Sequence, residues 1–106
     1  MGEERRKAPR HRFIADAEVT EIRTDTKLRA RTSDLSIGGC FLDMLNPCPK
    51  GMEIRVRILH SGDSFTALGR VAFLVPNIGM GIAFTNVDGS QISVLRKWLL
   101  DVSLST

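Results

Sequence analysis

Phe13-Ile14-Ala15-Asp16-Ala17-Glu18-Val19-Thr20 is the stretch that decides the fold: Phe13, Ala15, Ala17 and Val19 share one parity, and Asp16, Glu18 and Thr20 the other. A period of two puts one set of side chains on a core and the other in water, so the segment reads as a half-buried β-strand. Working outward, Thr24-Asp25-Thr26-Lys27 has turn chemistry, and beyond it Leu28, Ala30 and Thr32 alternate with Arg29, Arg31 and Ser33. A second strand, paired with the first as a hairpin, follows. Asp34-Leu35-Ser36-Ile37-Gly38-Gly39 interrupts the alternation, its two adjacent glycines marking a bend or bulge, before an extended apolar run from Cys40 to Leu45.

Asn46-Pro47-Cys48-Pro49-Lys50-Gly51 cannot continue a ladder and reads as a loop. Ile54, Val56 and Ile58 then alternate with Arg55 and Arg57, and His60-Ser61-Gly62-Asp63 makes a turn in which His60 is expected to be solvated. The next run carries Phe65, Ala67, Val71, Phe73 and Val75 on one parity, with Gly69 marking a coil in the strand. Pro76-Asn77 ends it, and Ile78, Met80, Ile82 and Phe84 carry a sixth strand. Asp88-Gly89-Ser90 has helix-starting chemistry; Ile92, Leu95, Leu99 and Val102 recur at helical spacing, with Val94 and Trp98 widening the stripe. The expected fold is all-β: a small six-stranded antiparallel barrel with a C-terminal helix and a flexible N-terminal arm.

The 106 residues leave room for one domain of the usual roughly 100 to 150 residues, and 42% apolar with 25% charged residues is an ordinary globular composition. No apolar run is long enough to span a bilayer, so neither a membrane span nor a signal peptide is expected. The net charge of +3 is local: residues 1–12 hold five basic and two acidic side chains, while residues 13–106 hold ten of each. The chain therefore divides into a basic arm, 1–12, and a barrel with its helix, 13–106. Cys40 and Cys48 lack CxxC spacing and a nearby histidine, so no metal site is expected, and two thiols without a disulfide framework fit a reducing cytoplasm.

His11 and His60 stand in no nucleophile or metal motif, and the GxSxG elbow is absent, which argues against an enzyme. The arm offers a different chemistry. Arg6 and Arg10 bracket Lys7-Ala8-Pro9, and Pro9 disfavours a continuous helix there. Guanidinium groups on an extended arm suit phosphate oxygens and the O6 and N7 acceptors of guanine, although the arm taken alone fits a solvated tail equally well. Asp34, Ser36, Gly38 and Gly39 bring together a carboxylate, a hydroxyl and side-chain-free backbone. Asp can accept from guanine N–H groups, Ser can donate, and Gly lets a bulky ligand approach, while the alternative is an ordinary tight turn.

Taken together, RxxxR (Arg6 to Arg10) and DxSxxG (Asp34, Ser36, Gly39) resemble the signature of the PilZ domain family. The likeness extends to Glu4-Arg5-Arg6-Lys7-Ala8-Pro9-Arg10, Gly69-Arg70-Val71 and Gly79-Met80-Gly81-Ile82-Ala83-Phe84, and so covers nearly the whole chain. The resemblance implies a bacterial cyclic di-GMP receptor on a six-stranded barrel, needing no cofactor and making no catalytic step. Arg6 and Arg10 would contact phosphate and guanine, Asp34 and Ser36 the guanine and nearby polar groups, and Gly39, with Gly38 beside it in the site, would permit close approach. In this family a basic residue at the place of Arg5 goes with a stacked cyclic di-GMP dimer, which implies the same here. The bound arm would present a changed surface to a downstream protein. Two other readings stand beside it: a ligand-independent PilZ-type interaction adaptor, and an RNA- or single-stranded-DNA-binding barrel. The latter would normally expose aromatic stacking platforms, and Tyr is absent.

Overall fold

The computed structural model describes residues 9–104. Strands β1 (His11–Glu21), β2 (Thr26–Ser36), β3 (Gly39–Asp43), β4 (Glu53–His60), β5 (Asp63–Val75) and β6 (Gly79–Asn86) precede helix α1 (Gly89–Leu104). All neighbouring strands are antiparallel, and the order β1-β2-β3-β6-β5-β4 closes on itself through β1 and β4. The expected all-β barrel with its C-terminal helix is therefore the observed fold. Closure removes the exposed edges that an open sheet would present.

The alternating residues make the core as their period requires. Val19, Leu35, Leu42, Ile54, Val56, Ile58 and Phe65 are wholly buried, while Arg29, Arg31, Arg55 and Arg57 face water. Both cysteines are buried and free, Cys40 as the expected small core hydrophobe. The helix begins where the Asp88 carbonyl accepts from the Gln91 and Ile92 amides, at 2.9 and 3.0 Å. Leu95 and Trp98 bury its inner face, Trp98 stacking on Phe13 with ring centroids 5.5 Å apart. The Gln91 side chain ties α1 to the barrel by accepting from the Thr66 amide at 2.7 Å.

Four local expectations change. Asp34, Leu35 and Ser36 continue β2 rather than interrupting it: the ladder to β3 slips between Thr32 and Asp34, so Ser33 is an extra, bulged residue inside a strand. Phe73 does not join Val71 on the inner face, because β5 also slips against β6 between these residues and turns the phenyl ring outward, 42% exposed. Ile78 lies in the β5–β6 turn, its amide bonded to the Val75 carbonyl at 3.0 Å, and is 58% exposed. His60 is half-buried instead of solvated, its ring 4.6 Å from that of Phe13 and 5.4 Å from that of Trp98.

Candidate functional site

The bulge in β2 decides where Asp34 points. Thr32 is fully buried, and in an unbroken strand Asp34, two residues on, would share its face and enter the core. The extra residue at Ser33 reverses the parity, so that Leu35 takes the inner position and Asp34 turns to the outer surface. β1 carries a matching slip between Arg12 and Ala15, and there the buried Thr32 hydroxyl donates to the Phe13 carbonyl, with the Ala15 carbonyl 3.4 Å away. These two irregularities set Arg12 opposite Asp34.

A row of side chains now crosses the outside of the barrel: Arg12 on β1, Asp34 on β2, Phe41 on β3, Gly81 on β6 and Phe73 on β5 are successive register partners. A second row runs beside it through Ser36, Gly39, Ala83 and Arg70. Asp34 is only half-buried as a residue, yet its Oδ1 is enclosed and has no hydrogen-bond partner among the described residues. An enclosed carboxylate oxygen without a donor costs about 1–3 kcal/mol, more if the charge is fully desolvated, and is rare in folded proteins.

Ser36 and the glycines are occupied differently. The Ser36 hydroxyl accepts from the Gly38 amide at 3.2 Å and donates to the Gly39 carbonyl at 3.4 Å, closing the β2–β3 turn on itself. The Gly38 carbonyl accepts from Phe84 at 2.9 Å, which fastens that turn to β6. A Cβ on Gly38 would meet nothing, whereas one on Gly39 would run into the Ile82 carbonyl oxygen, so Gly39 is required by the barrel itself as well as being a motif position. Arg10 is exposed immediately before β1, and Arg5 and Arg6 lie outside the described residues. The structure thus gathers Arg10, Asp34, Ser36, Gly38 and Gly39 at one end of the barrel. Arg12, read from the sequence only as part of the arm's charge, and Arg70 border the same face. No sequence signal assigns Arg12 that place, because the register depends on the bulges.

Among the described residues no group of three or more His, Cys, Asp or Glu side chains is placed to hold a metal ion. Burial, and secondarily the Asp34 carboxylate, push the Cys40 thiol far above its ordinary value. At the barrel's other end the Cys48 thiol is pushed up to about 11 by burial, then by Glu21. Neither is a nucleophile at neutral pH. No described helix is long and apolar enough to cross a membrane.

The sequence model of one family, the PilZ domain, matches residues 4–101. The chain belongs to the PilZ domain family. No curated protein sequence matches this PilZ chain. Among solved structures, the Bacillus subtilis inhibitor of motility MotI/DgrA superposes with a TM-score of 0.77 at 16% identity, over 96% of this chain and 52% of that one. This PilZ domain therefore spans about half the length of that relative. The PilZ domain of YcgR from Escherichia coli, solved with c-di-GMP, gives 0.77 at 16% identity, covering 95% and 93% of the two chains. The PilZ domain of CeSA from a cellulose-synthesizing bacterium gives 0.71 at 18% identity, covering 90% and 98%. At these identities the likeness establishes a shared fold.

Proposed function

We propose that this PilZ domain is a cyclic di-GMP receptor, a binding module rather than an enzyme, and that it holds the dinucleotide between a basic arm, residues 1–12, and the outer face of the barrel, residues 13–106. The observation that carries the reading is the enclosed Oδ1 of Asp34, without a hydrogen-bond partner among the described residues, on the strand position opposite Arg12. Guanine offers ring and exocyclic N–H donors to a carboxylate and O6 and N7 acceptors to guanidinium groups, and the phosphates of the dinucleotide add charge for Arg6 and Arg10. The family's RxxxR and DxSxxG positions are filled here, and a relative of the same fold, the YcgR domain, was solved with this ligand. An RNA-binding barrel is less well supported, since Trp98, on α1, is buried against the barrel and Phe73 is left as the one exposed aromatic ring among the described residues.

Arg5 adds a third guanidinium, which suits the four phosphate charges of two stacked ligands better than a pair of arginines does. Bound ligand would reposition the arm and so alter the surface shown to a downstream protein. Calorimetry with cyclic di-GMP at one fixed salt concentration tests the reading. The unaltered chain should bind two ligands and Arg5→Ala one, while Arg10→Ala should lose about one to two decades of affinity. A flat titration by folded, unaltered protein overturns the receptor reading and leaves the ligand-independent adaptor.

A further inference from the structure

The alternation that builds the core also sorts charge on the outside of the barrel. Glu18 on β1 is the register partner of Arg29 on β2 and of Arg57 on β4. On one side of that row Thr20 stands between Lys27 and Arg55 in the same way, and on the other Asp16 stands between Arg31 and Leu59. These three rows hold five of the ten basic side chains of residues 13–106, against two of the ten acidic ones. The barrel's neutral total therefore conceals a basic face, bounded by Asp43 opposite Arg31 on β3 and by Glu53, two residues before Arg55 on β4. All five cations are exposed, while Glu18 is half-buried between Arg29 and Arg57. The rows centred on Glu18 and Asp16 line an open groove of about 390 Å³. Along β1 the outward residues Arg12, Ile14, Asp16 and Glu18 alternate with the buried Phe13, Ala15 and Ala17, so this face continues from the Arg12–Asp34 pair.

Neighbouring strands lie about 4.8 Å apart, so the Arg29 and Arg57 positions are about 10 Å apart with Glu18 between them. A surface that matches this row sets an anion opposite each guanidinium and a cation opposite the carboxylate, at the same spacing. One face of an α-helix does so: at about 1.5 Å per residue, positions i and i+7 are about 10 Å apart and i+4 lies between them. Nucleic acid and an anionic membrane match less well, because their phosphates form an unbroken negative array that would meet Asp16 and Glu18 as well as the arginines. Four of the five cations are arginine, which is enriched at protein interfaces where lysine is depleted. Leu59 and Ile14, 42% and 50% exposed, add apolar contact area. We infer that the outer face of β1, β2 and β4 docks a helix of a partner protein that carries acidic, basic and acidic side chains at i, i+4 and i+7. The inference rests on the receptor reading for there being a downstream protein, and gives that protein a chemistry and a place beside the ligand.

The test is an NMR titration of the full chain with a synthetic peptide of about 15 residues, long enough to hold a helix in water, that carries Glu, Lys and Glu at i, i+4 and i+7. A peptide with Lys, Glu and Lys at those places and an oligothymidylate are the comparison probes. The first peptide should move the amide signals of β1, β2 and β4. The double variant Arg29→Gln, Arg57→Gln should weaken its binding about tenfold, the worth of two exposed charge contacts, with the unfolding midpoint unchanged. The double variant Arg96→Gln, Lys97→Gln removes two exposed charges from α1 instead and should stay within about twofold. No signal change on this face, equal affinities for the two double variants, or equal binding of the reversed peptide overturns the docking face. Tighter binding of the oligothymidylate to the same strands also overturns it, in favour of nucleic acid. Cyclic di-GMP is titrated separately: peptide binding by a chain that gives a flat cyclic di-GMP titration removes the receptor reading and keeps the face, whereas cyclic di-GMP binding without peptide binding does the reverse.

Discussion

The bulge at Ser33 in β2 and the bulge at Ala72 in β5 are the same device with opposite outcomes. Each inserts one residue, reverses the parity of its strand and turns a side chain from the core to the outer face: Asp34 in one case, Phe73 in the other. Both side chains end in one row, at register with Phe41 and Gly81 between them. Phe73 finds partners within the molecule. Its ring lies over the bare backbone of Gly81 and 6.0 Å from the ring of Phe41, which covers Gly79 in the same way. Asp34 finds none for Oδ1 among the described residues. A reoriented side chain that the fold satisfies is architecture, and one that it leaves wanting a donor points to a ligand.

The glycines of this face break the comparison most severely. A Cβ on Gly39 would overlap the Ile82 carbonyl, and one on Gly81 the ring of Phe73. Backbone in a closed barrel cannot yield, whereas a half-exposed ring can swing away. Gly39→Ala should therefore cost about 3 kcal/mol or more and Gly81→Ala about 1 kcal/mol, read from urea midpoints. Equal costs would mean that the strand carrying Ile82 moves as easily as a phenyl ring.

Asp34 comes next, and here the sign separates function from architecture. Asp34→Asn removes a charge that the described residues do not satisfy, so the free protein should be as stable as before or slightly more so. Binding of cyclic di-GMP should fall by about one to two decades, because an amide presents a donor where guanine presents donors too. Loss of stability with affinity intact would make Asp34 a turn former and move the site elsewhere.

These positions also show how far the sequence could be read. Strand identity was legible wherever parity held: Phe13 to Val19, Leu28 to Thr32 and Ile54 to Ile58 alternate because one barrel face is buried. The motif residues were legible as types, since a carboxylate, a hydroxyl and glycines in a turn are few. Their arrangement was not. Each bulge shifts parity by one without any local marker, so Phe73 was assigned to the core and Asp34 to a break between strands. The Arg12–Asp34 pairing depends on two such shifts, in β1 and in β2. His60 departs from its expected solvation for a related reason: its neighbours Phe13 and Trp98 are 47 and 38 positions away in the numbering and meet it only when the barrel closes and α1 docks.

Phe73→Ala sharpens the architectural side. It removes one ring of the Phe41 pair and uncovers Gly81, so a stability loss of about 1 kcal/mol is expected, the usual worth of an aromatic pair at a partly exposed position. The Phe41→Ala and Phe73→Ala changes should be less than additive in the double variant, because each deletes the same contact. Strict additivity in urea unfolding would mean that the rings touch their glycines and not each other.

Ser36→Ala gives the smallest effect on stability and the finest discrimination. The Ser36 hydroxyl is already engaged, accepting from Gly38 and donating to Gly39, but at 3.2 and 3.4 Å both bonds are long, and the second exceeds the usual range for a hydroxyl donor. Bonds of that length hold the turn weakly, and the Phe84 amide on the Gly38 carbonyl holds it independently. Deleting the hydroxyl should thus cost the free protein only about 0.5 kcal/mol. Donating to a ligand acceptor at normal length would be worth more than donating to Gly39, so a hydroxyl that turns to the ligand is missed more in binding than in folding. The expected result is a loss of affinity of about tenfold, larger in free energy than the loss of stability measured on the same preparation. The reverse order would return Ser36 to the turn and leave Asp34 and the arginines as the recognition elements.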